Sequence, residues 1–307
     1  MTRVSSFGHT QTLITELLRN QSNLFQDQQQ VNTGKVASDY KGLAGQTAAL
    51  LGAKTLQSRI TQYTSAGTEI KGTLSIYDNS LGVLGSLTSD LKQTLQQGIA
   101  NDEVYGFAET LSQSLNSAIS ALNTQVSGKY IFSGTRTDVP AVGIQSISDL
   151  QALAAGSDAF QNNQQKAAVQ IDDGVSLQYG MLASDVAGPL MDVLKALADF
   201  NAGPNGPIDG KLTATQQAFI QTQLGNLENA RQTVLNSQVE NGVRQNRVDS
   251  VLNQHETTSN VVTGVISDIE DVDMASAVTK LNGDQTALQA SYKVMAQLSQ
   301  LSLLNFL

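Results

Sequence analysis

Between Leu56 and Leu95 the chain repeats one spacing without a slip. Leu56, Ile60, Tyr63, Gly67, Ile70, Leu74, Tyr77, Leu81, Leu84, Thr88, Leu91 and Leu95 follow one another alternately three and four positions apart. That spacing lines one face of an α-helix with a seam that must be covered along its whole length by another helix. At 1.5 Å per residue, a helix over 47–100 is ~80 Å long, more than a globular domain accommodates. The chain is thereby directed toward paired long helices.

The same spacing recurs on both sides. Near the N-terminus it runs through Ile14, Leu17, Gln21, Leu24, Gln28 and Val31, widened by Leu13, Leu18 and Phe25, and stops at Asn32-Thr-Gly34. A third helix is expected directly after Asn101-Asp102, with Val104, Ala108, Leu111, Leu115, Ala118 and Leu122 on one face, folded back antiparallel on the second. Thr213 is placed to cap another long helix, whose seam runs from Ile220, Leu224 and Leu227 through the polar Arg231, Gln238, Asn241 and Gln245 to Leu252, His255, Val262 and Ile269. A last helix carries Met274, Val278, Leu281, Leu288, Tyr292 and Met295 and then Leu298, Leu301, Leu303, Leu304, Phe306 and Leu307.

Only the middle changes period. Lys129-Tyr-Ile-Phe132 is β-prone, and Ala168–Ile171 and Val175–Tyr179 flank Asp172-Asp-Gly174, a hairpin signal. Helix resumes at Gly188-Pro189 with proline at its start.

The expected architecture is mainly α: an elongated helical rod of long antiparallel coiled-coil-like helices, with paired terminal helices and a small β-containing central domain. Residues 1–45 and 258–307 form the terminal helical assembly domain, 46–128 and 187–257 the helical rod, and 129–186 the insertion. The rod core is expected at Leu56, Ile60, Ile70, Leu74, Leu81, Leu84 and Leu91. Terminal helices with apolar residues on the seam and beside it bury more against neighbouring copies than alone. A subunit interface is therefore expected at Ile14, Leu17, Leu24, Val31, Leu281, Leu288, Tyr292, Met295, Leu298, Leu301 and Leu304.

Composition narrows the chemistry. The 307 residues include no Cys, no Trp and two His, with a net charge of -9. Disulfides and thiolate metal sites are excluded, and no clustered Lys and Arg offer nucleic acid a phosphate-binding surface. No run approaches the ~20 apolar residues of a membrane span, and the N-terminus lacks the apolar core of a cleavable signal. His255-Glu-Thr-Thr-Ser259 misses the helical zinc-protease pattern by its second histidine. The acidic Asp268, Glu270, Asp271 and Asp273 lack the glycine and loop spacing of a calcium loop and read as groups that cap and favour a helix start. Asp172-Asp-Gly174 reads as a turn. No constellation of an enzyme and no cofactor or metal site is expected.

Five segments carry a family likeness. Asn241-Gly-Val-Arg-Gln-Asn-Arg-Val-Asp249 and Ser267-Asp-Ile-Glu-Asp-Val-Asp-Met-Ala275 resemble the C-terminal signatures of the bacterial flagellin superfamily, and Gln30-Val-Asn-Thr-Gly-Lys35 resembles its N-terminal motif. Gly128-Lys-Tyr-Ile-Phe-Ser-Gly-Thr-Arg-Thr-Asp138 and Gln289-Ala-Ser-Tyr-Lys293 are similar to segments of the superfamily's hook-associated junction subunits. The resemblance implies a structural subunit of the bacterial flagellum that joins hook to filament by self-assembly of its terminal helices. It also implies a set of partners: copies of the chain in a ring or layer, a neighbouring hook-associated protein, flagellin and an export chaperone. The place implied is extracellular, reached without a cleaved signal peptide. Filament flagellin, or a flagellin-like adhesin or polysaccharide-binding protein, are the alternative readings.

Overall fold

The computed structural model describes residues 2–304, with side chains for 11–43 and 45–297. Helices dominate: α1 (Thr2–Thr33), α2 (Thr47–Asn101), α3 (Phe107–Leu122), α4 (Ile147–Ala152), α5 (Ala183–Ala202), α6 (Ala214–Glu270) and α7 (Met274–Leu304). Six short strands make three antiparallel pairs: β1 (Glu103–Val104) with β6 (Gly210–Lys211), β2 (Gln125–Val126) with β3 (Lys129–Tyr130), and β4 (Ala168–Asp172) with β5 (Val175–Gln178). At 57 residues, α6 extends ~85 Å. The chain divides into two compact units, one made of the residues up to Arg59 and from Thr257 onward, the other of Ile60–Glu256.

In the first unit α1 packs antiparallel along α7. The half-buried line of α1 runs through Leu13, Leu17, Asn20, Leu24, Asp27 and Val31, joined near its end by Gln29 and Gln30. Half of the expected seam is thus shifted by one residue: Ile14, Gln21 and Gln28 are exposed, and the residues preceding them face the partner. Leu13 and Ile14 compete for one seam position, and α7 decides between them. Its Ser291 accepts a bond from the Asn20 side-chain amide at 3.2 Å, which a seam through Gln21 would not place there. On α7 the inward line is Ala277, Leu281, Asp284, Leu288, Ser291 and Met295.

The turn between α6 and α7 lies against the end of α1. Gly34, in the left-handed region at φ 70°, accepts from the Val272 amide at 2.9 Å, and Val36 donates to the Glu270 carbonyl at 2.7 Å. Lys35 reaches Asp271 at 2.6 Å and Glu270 at 3.3 Å, and Lys54 closes on Glu270 as well. Asp273 caps α7, its carboxylate accepting from the amides of Ala275 at 3.0 Å and Ser276 at 3.3 Å. The acidic run serves as helix cap and ion-pair joint.

In the second unit α2 and α6 run antiparallel, tied by Lys71–Asp249 at 2.7 Å and Lys92–Glu228 at 2.6 Å. Ile60, Ile70, Leu74, Tyr77, Leu81, Leu84, Leu91 and Leu95 are buried along α2, and Leu56, in the first unit, is half-buried. Gly67 sits where a Cβ would come 2.9 Å from the Leu252 side chain, so the missing side chain lets the helices approach. Thr213 and Gln216 form a reciprocal cap at the start of α6: the Gln216 amide donates to the Thr213 hydroxyl at 3.3 Å, and the Thr213 amide to the Gln216 side chain at 2.9 Å.

Two expected helix starts move. Val104 belongs to β1 opposite Gly210, and α3 begins only at Phe107, which is buried while Ala108 is exposed. Asp102 and Gly106 both take positive φ (61° and 66°), and two such residues break a continuous helical path. α5 starts at Ala183, leaving Pro189 inside the helix. An interior proline costs ~3 kcal/mol, but Leu190, Met191, Leu194 and Leu197 are fully buried on the same helix and contribute ~1.5–3 kcal/mol each.

α5 carries the middle of the chain. The turn Gly156–Ala159 packs so tightly on it that a Cβ at Gly156 would lie 2.7 Å from the Asp192 amide nitrogen. Of the β-prone run 129–132 only Lys129–Tyr130 is strand; Phe132 is buried edge-on against Tyr77, with ring centroids 4.8 Å apart. The Tyr77 hydroxyl donates to the Ile131 carbonyl at 2.5 Å and accepts from the Met181 amide at 3.3 Å. Burial pushes that phenol up to about 12.

Candidate assembly surface

The residues expected at a subunit interface divide by their surroundings. Leu17, Leu24, Val31, Leu281, Leu288 and Met295 are half-buried on the facing lines of α1 and α7. Ile14 and Tyr292 are exposed, although the Tyr292 hydroxyl accepts from the Gln21 side chain at 2.7 Å. Leu298, Leu301 and Leu304 lie outside the residues whose side chains are described.

The α1–α7 pair leaves a great deal of apolar surface uncovered. Leu18 and Phe25 stand on the outside of α1 with Ile14, Phe25 being 66% exposed, and Val278 and Val294 are exposed on α7. An aromatic left in water forfeits the ~2–3 kcal/mol that burial would return. Exposed apolar residues on both helices make this the candidate assembly surface. Sequence periodicity reached Leu18 and Phe25 as flanks of the seam but did not show that they form the outer face.

The seam is also electrostatically uneven. Asp27 and Asp284 meet across it and share a side-chain hydrogen bond. Partial burial first, then the neighbouring Asp284, hold the Asp27 carboxyl above its ordinary value, with Lys280 acting in the opposite sense. At the joint the sign reverses. The hydrogen bond from Lys54 holds Glu270 low, and that from Lys35 does the same for Asp271.

The segment 241–249 has a mechanical role between α2 and α6. Asn241, fully buried, donates from its side-chain amide to the Leu74 carbonyl at 2.8 Å, and Gln245 donates to the same oxygen at 3.2 Å. Two amides on one carbonyl fix the helices lengthwise, since a slip by one turn would bury both without an acceptor. Arg244 is held by Glu240 at 3.0 Å.

His255 is a packing residue. It is buried, its Nε2 lies 2.7 Å from the Ile171 carbonyl, and its ring stacks on Tyr63 at 5.9 Å, so it anchors the β4–β5 hairpin to the helices. Glu256 beside it is exposed. Among the described residues no group of three His, Cys, Asp or Glu is arranged to hold a metal ion, and no helix is long and apolar enough to cross a membrane.

Residues 215–307, which span α6 and α7, match the family model for the bacterial flagellin C-terminal helical region. The fold is similar to a structure from Vibrio parahaemolyticus assigned as a flagellar hook-associated protein, with a TM-score of 0.60 and 22% identity over 76% of this chain and 99% of that one. FlgL of Bacillus cereus aligns with a TM-score of 0.47 and 15% identity over 67% of this chain and 98% of that one. No curated protein matches the sequence.

Proposed function

We propose that this chain is a structural subunit of the bacterial flagellum, forming the junction layer that connects hook to filament through self-assembly of its terminal helices. One observation carries the reading. The flagellin C-terminal match falls on the helix, α7, that pairs with α1 while leaving Ile14, Leu18 and Phe25 uncovered. Half-buried seams beside exposed apolar lines suit helices that complete their packing only against other subunits.

The partners follow from that role: copies of the chain in a ring or layer, a hook-associated protein on one side, flagellin on the other, and a chaperone before export. The subunit works outside the cell. Its lack of cysteine suits passage through a narrow export channel, where a crosslink would obstruct threading.

Deletion of the gene tests the proposal. Cells should then build hooks without filaments and release flagellin into the medium, and the intact gene should restore attachment. Filaments of normal length on the deleted strain would overturn it. Polymerisation of the purified chain alone into long filaments would instead favour a filament flagellin.

A further inference from the structure

Two surfaces of the second unit have no use within one chain. The first is on α6. Val239 and Val243 are 68% and 64% exposed, the most exposed valines of this unit. Arg247, one turn further on the same stripe, is exposed and makes no ion pair among the described residues. The stripe lies on the side of α6 opposite the buried Val234, Asn241 and Val248, so it points away from α2.

The second surface is a groove along the flank of α2 beside α3. It consists of two adjoining openings of about 540 and 670 Å³ that share Asn79, Val83 and Ser117. Val83 supplies an exposed apolar knob, and Asp78 and Asp90, both exposed, edge the larger opening. The stripe is apolar with one cation; the groove presents exposed Val83, with half-buried Ile76 and buried Leu87 beneath, among small and polar residues that include Gln238 of α6, with two anions.

We infer that the α6 stripe of one copy seats in the α2–α3 groove of the next, as the lateral contact of the layer. The inference rests on the reading of the chain as a flagellar subunit. Because the donor stripe and the receiving groove are different patches of one chain, the contact is head-to-side and repeats around a ring or along a helix.

The contact requires one register. In a layer of like-oriented copies the neighbour's α6 runs antiparallel to the α2 that receives it, as α6 does within each chain. The Leu74 carbonyl meets Asn241 and Gln245, and a Cβ at Gly85 would lie 3.9 Å from Val234, which together put Val239 level with Asn79. A stagger of roughly one to one and a half helical turns between copies then sets Val239 over Val83 and Val243 over Asn79, and brings Arg247 within side-chain reach of Asp78.

The native chain has no cysteine, so an introduced pair reports the contact directly. Full-length protein carrying Val243→Cys and Asn79→Cys, oxidised in intact flagella, should give a ladder of covalent oligomers that neither single variant gives. Arg247→Glu in that background should cut the ladder at least about tenfold by placing like charges together, and adding Asp78→Arg should restore it. Swimming cells whose flagella contain the double-cysteine protein without any ladder would overturn this contact and leave the flagellar reading standing. Absence of the chain from isolated flagella would overturn both.

Discussion

Asn241 is a polar residue set inside the apolar α2–α6 seam. It is fully buried and spends its amide on the Leu74 carbonyl. Asn241→Asp keeps the shape but sets a carboxylate oxygen against that carbonyl, an acceptor facing an acceptor. A buried bond replaced in this way costs ~1–3 kcal/mol, so the variant should show a clear loss of stability in chemical denaturation followed by circular dichroism. Asn241→Leu replaces the bond by apolar contact and should cost far less. Equal loss in both would mean that size, not polarity, sets the site.

Asp27 provides a pH test. Its carboxyl is held above the ordinary 3.8, by partial burial and then by Asp284, so the charged form is disfavoured in the folded state. The associated stability is complete below 3.8 and is lost as pH rises through the raised value. Asp27→Asn should therefore strengthen the α1–α7 pair at neutral pH, by no more than ~1 kcal/mol because the site is partly solvated. The advantage should vanish near about pH 3, where the native carboxyl is protonated as well. Glu270 and Asp271 run the other way: their depressed values make the joint weaken as pH falls below 4.5 and 3.8. Amide exchange measured in α1 and in 34–36 separates the two trends.

At the scale of elements, the α2–α6 pair is a continuous apolar seam with one polar lock. Leu81 is fully buried within it. Leu81→Ala should cost ~2.5–5 kcal/mol through lost contact and the cavity left behind, and Leu81→Asp more, since it adds an unpaired charge. A melting temperature within a few degrees of the parent for the Asp variant would contradict the burial. Gly156 tests the docking on α5. Beyond the Asp192 carboxylate at 2.6 Å, which can turn aside, its neighbours there are the Asp192 nitrogen and the Met191 carbonyl carbon, backbone atoms at 2.7 Å that cannot, so Gly156→Ala should cost ~1–3 kcal/mol despite adding one methyl group. Loss of protection confined to 153–160 would show that this turn docks independently of α5.

For the whole molecule, the exposed faces of α1 and α7 imply that folding and incorporation are separable. Removing 296–307 should leave the helical circular dichroism of 60–256 intact and abolish incorporation at the hook. Normal incorporation of the truncated chain would sink that separation.

The seam of α2, the cap at Thr213, the 172–174 turn and the two-ended arrangement of long helices were legible because each rests on local rules: a period of 3.5, a side chain that caps its own helix, a turn that suits Asp and Gly. The resemblance of 241–249 to flagellins was legible too, though not its mechanical use, which depends on a carbonyl 167 residues away. What required the tertiary structure is where neighbouring choices compete. Leu13 or Ile14 on the seam, the start of α3 after two positive-φ residues, and Pro189 inside a helix were each decided by what packs opposite. By itself the sequence determined which faces must be buried. Only the fold decided which were left over, because an amphipathic pattern states the need for a partner, and the partner's own side chains set the register in which that need is met.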